Sequence, residues 1–326
     1  MLKAPMFDVS RAVLEDYLAG MPIPPRIDVT DSAALGYALV SGMIAPDALL
    51  LTFEIDGTLY ALPMQVVLAS NVVQGSAEHA WVLTFCNACN TGMVFDARVN
   101  GQTLHFQRRG SYDGLLIIWD QETGSYWQHI TGECLHGASV GSQLTQIAST
   151  REMRAAQASK HKNAVLLTSA LTPEQVKQSA FADRMRSNPG RQEPFISATM
   201  ASHDERRPRF ELGLGVWEVG KDHDTSTFFP LVFLHTQDNV HFNEFNRRRL
   251  LVYLAPDAVA PVAAYVDATR AWWEGETLRL NGGNSIQNDM LLLADGSSQP
   301  LERPRQLLMR WYGFAVTFPG CALPRL

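Results

Sequence analysis

The 326-residue chain is 46% hydrophobic and 18% charged, which excludes wholesale disorder and fits a globular protein. Its net charge of −6 argues against nucleic acid or an anionic membrane surface as partner. The length exceeds what one hydrophobic core usually serves, so two lobes are the default expectation.

The N-terminal segment MLKAPMFDVSRAVLEDYLAG carries Asp, Arg and Glu where an export signal needs an apolar run. No stretch approaches ~20 consecutive apolar residues, so no membrane span is expected. With no export signal and four cysteines, Cys86, Cys89, Cys134 and Cys321, a reducing cytoplasm is the expected compartment. In chain order, short helices are predicted over Ser10–Ala19, Asp31–Met43 and Pro63–Val73. A longer one is predicted over Thr172–Ser187, with Thr172 as cap and Asn188-Pro189-Gly190 as stop. Most of the remainder reads as strands: Leu49–Ile55, Trp81–Phe85, Met93–Val99, Thr103–Gln107, Leu115–Asp120, Ala164–Leu167, Phe210–Val219, Leu250–Leu254, Ala263–Val266, Thr277–Leu280 and Met290–Leu293. Turns at Asp56-Gly57, Asn100-Gly101, Gly275 and Asn281-Gly282-Gly283 separate several of these. The run Asn246-Arg247-Arg248-Arg249 reads as a solvated turn.

The halves resemble each other. FEIDGTLYALP (Phe53–Pro63) corresponds to WEVGKDHDTSTFFP (Trp217–Pro230), WVLTF (Trp81–Phe85) to RLLVY (Arg249–Tyr253), and DGLLIIWD (Asp113–Asp120) to DMLLLADG (Asp289–Gly296). The expected fold is therefore mainly β (α+β), with two β-rich lobes from a degenerate internal duplication and a few short helices. The expected division is an N-terminal helical segment (1–48), a first lobe (49–187), a linker (188–208) and a second lobe (209–326).

The chemistry concentrates in TFCNACNTG, where Cys86 and Cys89 follow an apolar strand in an Asn- and Gly-rich turn. Two thiols at this spacing suit a shared soft metal ion or dithiol–disulfide exchange. The bland alternative is two small buried residues in a tight turn. The loop in the second lobe, LAPD (Leu254–Asp257), has no thiol, which points to a site confined to the first lobe. A second cluster, WQHITGECLH, holds Trp127, His129, Cys134 and His136. In an extended segment Cys134 and His136 share a face, so Cys86, Cys89, Cys134 and His136 form a candidate metal set of three thiolates and one imidazole. Its alternative is that the two segments lie apart. Cys86, Cys89 and His129 are the candidate catalytic residues. Arg109, with its bidentate fork, and the neighbouring Tyr112 and Trp127 are candidate substrate contacts, against the plainer reading of Arg108-Arg109 as a solvated hairpin. Asp120 reads as a turn residue.

The strings YALPMQVVLASNVV, TFCNACNTGMVFDARVNGQTLHF and LLIIWDQETGSYWQHITGECLHGASVG, with the ending RWYGFAVTFPGCAL, resemble the DUF3179 family, a domain of unknown function. The resemblance implies a proline-led helix, a Cys pair, a strand ending in FD and a D-x-x-T-G-S-x-W segment. Ser70 and Asn71 stand where the family commonly has a His-Glu pair, His129 stands where it often has Gln, and Cys134 and His136 are additions.

The expectation is a metal- or thiol-dependent enzyme, an oxidoreductase acting on a small molecule at the Cys86–Cys89 turn. It would use Zn, Fe or Cu, or a dithiol without metal. The alternative is a non-catalytic binding module with a closed structural zinc clip.

Overall fold

A computed structural model describes residues 12–14, 24–75, 79–218 and 225–324. The fold is mainly β with short helices, built from several small sheets. Leu49–Ile55, Leu115–Asp120 and Thr277–Leu280 are strands as predicted, and most other predicted strands differ at their ends; Thr103–Gln107 is instead broken at Leu104-His105 between Gln102–Thr103 and Phe106–Tyr112, and Met93–Val99 is broken at Ala97. The helix Pro173–Ser187 starts with the Thr172 hydroxyl accepting from the Gln175 N–H, and the Gln175 side chain accepts from the Thr172 N–H.

Three helical expectations need correction. Within Ser10–Ala19, Val13–Leu14 is extended and pairs with Ser111 and Gly110; most of that segment lies outside the described residues. Asp31–Ala34 is a strand beside Ala164–Thr168, and only Leu35–Val40 is helical. The helix after Pro63 covers Met64–Ser70 and stops at Asn71, whose φ of 68° turns the chain into the strand Val72–Gly75. The stretch expected as a connector is helical over Pro189–Gln192 and Glu193–Thr199.

Two parts of the chain run through the same succession. In the first, the hairpin Leu49–Ile55/Thr58–Pro63 leads through Pro63 into a short helix. An antiparallel meander of Val72–Gly75, Trp81–Cys86 and Thr91–Asp96 follows. In the second, Leu212–Trp217 and Thr227–Pro230 lead through Pro230 into Leu231–Thr236, then into the meander Val240–Phe245, Arg248–Tyr253 and Val262–Tyr265. Each hairpin is flanked by a later antiparallel strand, Arg151–Arg154 in the first and Arg305–Arg310 in the second. Each of those strands runs directly into a helix, Ala155–Ala158 or Trp311–Thr317. Asn246 and Arg247, both at positive φ, make the two-residue turn of the second meander, whereas Arg248 and Arg249, expected in the same turn, already belong to the strand.

The core that matters for the site is shared between these parts. Cys86, Cys89, Phe95, Phe106 and Trp127 pack in one apolar cluster with Trp311, Tyr312 and Phe314. The C-terminal helix therefore lies against the cysteine turn.

Candidate metal centre

Cys86 closes the strand Trp81–Cys86, and a four-residue loop, Asn87 to Asn90, returns the chain to Thr91. Asn90 takes the left-handed conformation (φ 56°) that this return requires. The neighbouring Gly92 cannot carry a side chain, because a Cβ there would sit 2.5 Å from the Thr84 carbonyl oxygen. Inside the loop the Cys89 N–H donates to Cys86 Sγ at 3.3 Å, a bond that favours an anionic sulfur.

The third member comes from the turn after Tyr126–Gln128. Gln128 Oε1 accepts from the N–H groups of Ile130 (2.5 Å) and Thr131 (2.7 Å), which fixes the turn, and Thr84 Oγ1 donates to the His129 carbonyl at 3.2 Å. These bonds place the His129 imidazole among the thiols, with Nε2 3.6 Å from Cys89 Sγ. Donor atoms of Cys86, Cys89 and His129 all lie within 4.8 Å of one another, and all three side chains are buried. With Zn–S near 2.3 Å and Zn–N near 2.0 Å, a tetrahedral ion separates a sulfur from a nitrogen ligand by about 3.5 Å. The Cys89–His129 spacing therefore fits a metal edge.

The two thiols differ electrostatically. Burial pushes Cys86 up, but hydrogen bonds with Cys89 and His129 more than offset this and hold it well below the usual thiol range. Burial and the adjacent Cys86 hold Cys89 well above it. One thiolate thus forms readily, and the second needs a further cation.

The loop is held from outside by side chains distant in sequence. The buried Arg310 donates through Nη1 to the carbonyls of Asn87 and Ala88, the two residues between the cysteines, and through Nη2 to the Arg186 carbonyl at 2.6 Å. Its backbone N–H donates to the Cys89 carbonyl at 2.8 Å. Asn90 Nδ2 donates to Glu152 Oε1 (3.0 Å), and Arg186 Nη1 donates to Asn90 Oδ1 (3.1 Å). On the other side Asn71 Nδ2 donates to the Phe85 carbonyl and to Asn87 Oδ1, both at 2.9 Å. Gly313 sits where any Cβ would come within 2.9 Å of Cys89 Cβ.

A cavity of about 110 Å³ opens on Cys86 and is also lined by Asn71, Arg108, Ser111, Gln192 and Phe195. Arg108 Nη1 donates to Asn71 Oδ1 at 2.9 Å.

The other sequence candidates are placed differently. Cys134 and His136 do not join the cluster, which among the described residues comprises Cys86, Cys89 and His129. A bulge pairs Trp127 with Cys134 and Tyr126 with His136. Cys134 follows Trp127 inward, with Sγ 3.5 Å from the His136 carbonyl, and His136 follows Tyr126 to the exposed side. The expected common face is thereby lost. Trp127 is wholly buried and donates its indole N–H to Asp120 Oδ2 at 2.8 Å, so it is a core residue. Asp120 also accepts from the Thr123 N–H and hydroxyl, which is the turn role predicted for it. The Arg109 guanidinium lies 5.0 Å over the Trp119 ring, and Tyr112 is buried at the strand end. Neither lines the cavity at Cys86, whereas Arg108 does. A register shift between Arg108 and Gly110 separates the two arginines.

Among the described residues no helix is long and apolar enough to cross a membrane. Comparison with curated proteins and with solved structures returns no match. A family profile described as "Protein of unknown function (DUF3179)" matches residues 25–279, which include both cysteines, His129 and the cavity residues named above. Arg310 and Gly313 fall beyond the matched range. With most of its length matched, the chain belongs to the DUF3179 family.

Proposed function

We propose that Cys86, Cys89 and His129 bind one transition-metal ion, and that this ion serves an oxidoreductase acting on a small molecule admitted by the cavity at Cys86. The observation that carries the reading is the three soft donors within 4.8 Å of one another. Two thiolates and an imidazole suit Zn, Cu(I) or Fe, and three protein ligands leave a coordination position for substrate or water. When bound, the metal would supply Lewis acidity or an electron. The chain's own residues orient the ligands. Arg310 fixes the loop between the cysteines, Thr84 fixes the His129 turn, and Asn71 and Arg108 stand at the cavity wall. A closed structural clip would need a fourth protein ligand, and the grouping of three favours the open arrangement over it.

A second reading, cycling between dithiol and disulfide without metal, is favoured by the opposed shifts of the two thiols. We also read the repeated succession of hairpin, proline, helix and meander as the remnant of an internal duplication in which only the first copy carries thiols.

Elemental analysis of the purified protein tests the leading proposal. One metal per chain is expected, falling to a small fraction in Cys86→Ser, Cys89→Ser and His129→Ala. Sub-stoichiometric metal, or metal unchanged in those variants, would discard it. A thiol count that depends on redox state in metal-free protein would then support the dithiol reading.

A further inference from the structure

The wall of the cavity at Cys86 carries three polar groups that the fold leaves unused. Ser111 is 7% exposed and lines the cavity, and its hydroxyl has no hydrogen-bond partner among the described residues. Asn87 Oδ1 accepts from Asn71 Nδ2, which leaves Asn87 Nδ2 as a donor. Gln192 Nε2 donates to the Met185 carbonyl at 2.9 Å, which leaves its Oε1 as an acceptor. Unlike the wholly enclosed Thr91 hydroxyl and His129 Nδ1, these three atoms keep accessible surface, so a ligand can reach them.

An irregularity in the strand puts Ser111 there. Arg108 and Ser111, three positions apart, would lie on opposite faces of a regular strand. The register shift between Arg108 and Gly110 pairs Arg108 with Ile118 and Ser111 with Leu116, so both side chains turn to one face and both line the cavity. Arg108 is already engaged with Asn71 Oδ1 at 2.9 Å, and the Asn71 amide is spent on that bond and on the cysteine loop. The groups left for a ligand are thus one hydroxyl, one N–H donor and one carbonyl acceptor.

A carboxylate answers this set poorly, because Gln192 Oε1 would face its lone pairs. A primary carboxamide answers all of it: its oxygen accepts from Ser111 and Asn87, and its NH₂ donates to Gln192. The volume of about 110 Å³ equals that of about four waters and admits about four to six non-hydrogen atoms, with Leu116 and Phe195 as the apolar wall for a short carbon chain.

We infer that the molecule entering at Cys86 is a small uncharged carboxamide and that Ser111 is its specificity-determining residue. The inference rests on the proposed reading in taking this cavity as the substrate's entrance; it needs the cavity and not the ion.

Ligand-observed NMR titration of the purified full chain with propanamide, propanoate and benzamide tests it. Saturable binding of propanamide at about 10 mM is expected, with propanoate about fivefold weaker and the bulkier benzamide excluded. Ser111→Ala should weaken propanamide about fivefold. Its melting temperature should stay within about two degrees of wild type, since the hydroxyl makes no bond within the fold. No saturable propanamide binding up to about 100 mM would overturn the inference, as would binding indifferent to Ser111→Ala. Propanoate or benzamide binding as tightly as propanamide would overturn the ligand class. Metal content is read on the same samples. Propanamide bound without metal would strike the metal reading alone, and metal bound without propanamide would strike this inference alone.

Discussion

Arg310→Met is the sharpest test of how the cysteine loop is built. The guanidinium makes three hydrogen bonds, to the carbonyls of Asn87, Ala88 and Arg186, and Arg310 is 3% exposed. A hydrogen bond to a charged group contributes about 1.5–3 kcal/mol. The loop carbonyls belong to half-buried residues and can recover water, and removing a buried cation relieves a desolvation cost, so the simple sum overstates the effect. A loss of about 3–5 kcal/mol remains, which lowers the melting temperature by roughly 4–7 °C in a chain of this size. The variant should also bind cobalt(II) weakly and with an altered ligand-field spectrum, because the loop amides no longer hold Cys86 and Cys89 in register. Arg310→Lys should recover part of the stability and little of the spectrum, since one ammonium cannot reproduce the planar fork. A melting temperature within a degree or two of wild type, with an unchanged cobalt spectrum, would refute the clamp.

Other outcomes follow from the same packing. Gly313→Ala gains helix propensity of about 1 kcal/mol but crowds Cys89 Cβ, which costs about 1–3 kcal/mol; thermal melts should show it neutral to destabilised, and metal binding should weaken. Trp127→Phe removes a donor from the buried Asp120 carboxylate and should cost about 1–3 kcal/mol in denaturant titration. Burial alone would raise the Asp289 carboxyl, but Arg151, Arg303 and His161 hold it well below the usual range. A depressed folded-state pKa gives stability that is complete above the unfolded value near 3.9 and lost as pH falls below it. Wild type should therefore lose stability between about pH 5 and pH 2 more steeply than Asp289→Asn, which is already weakened by about 3–5 kcal/mol at neutral pH. Parallel acid melts of the two proteins check this.

The strands and the long helix were legible because their signals are local: alternating or continuous apolar runs, Thr172 with Gln175, and Asn or Gly at the turns. Asp31–Ala34 was not, since its extended form comes from pairing with Ala164–Thr168, more than a hundred residues away. The Cys-x-x-Cys turn was legible for the same local reason. The sequence marks His129 as a candidate catalytic residue, but its spacing points to a ligand set with Cys134 and His136, because a bulge that reverses one face leaves no trace in residue spacing. Arg310 has no such local signal. It reaches Ala88 across 222 positions, and nothing around Arg310-Trp311-Tyr312 marks a loop clamp. Arg108 was passed over for Arg109 because which of two adjacent arginines turns toward Cys86 depends on the register shift beside them.

The clasp on the cysteine loop also orders events at the ribosome. Cys86, Cys89 and His129 emerge well before the arginine that fixes the peptide between the cysteines, which follows Ala88 by 222 positions. Until the strand Arg305–Arg310 and the helix behind it are made and docked, the thiols sit on an unclasped hairpin. On the metal reading proposed above, stable capture of an ion would wait for that docking, and a chain broken off before Arg310 would leave the ribosome with its sulfur donors present and their loop unclasped.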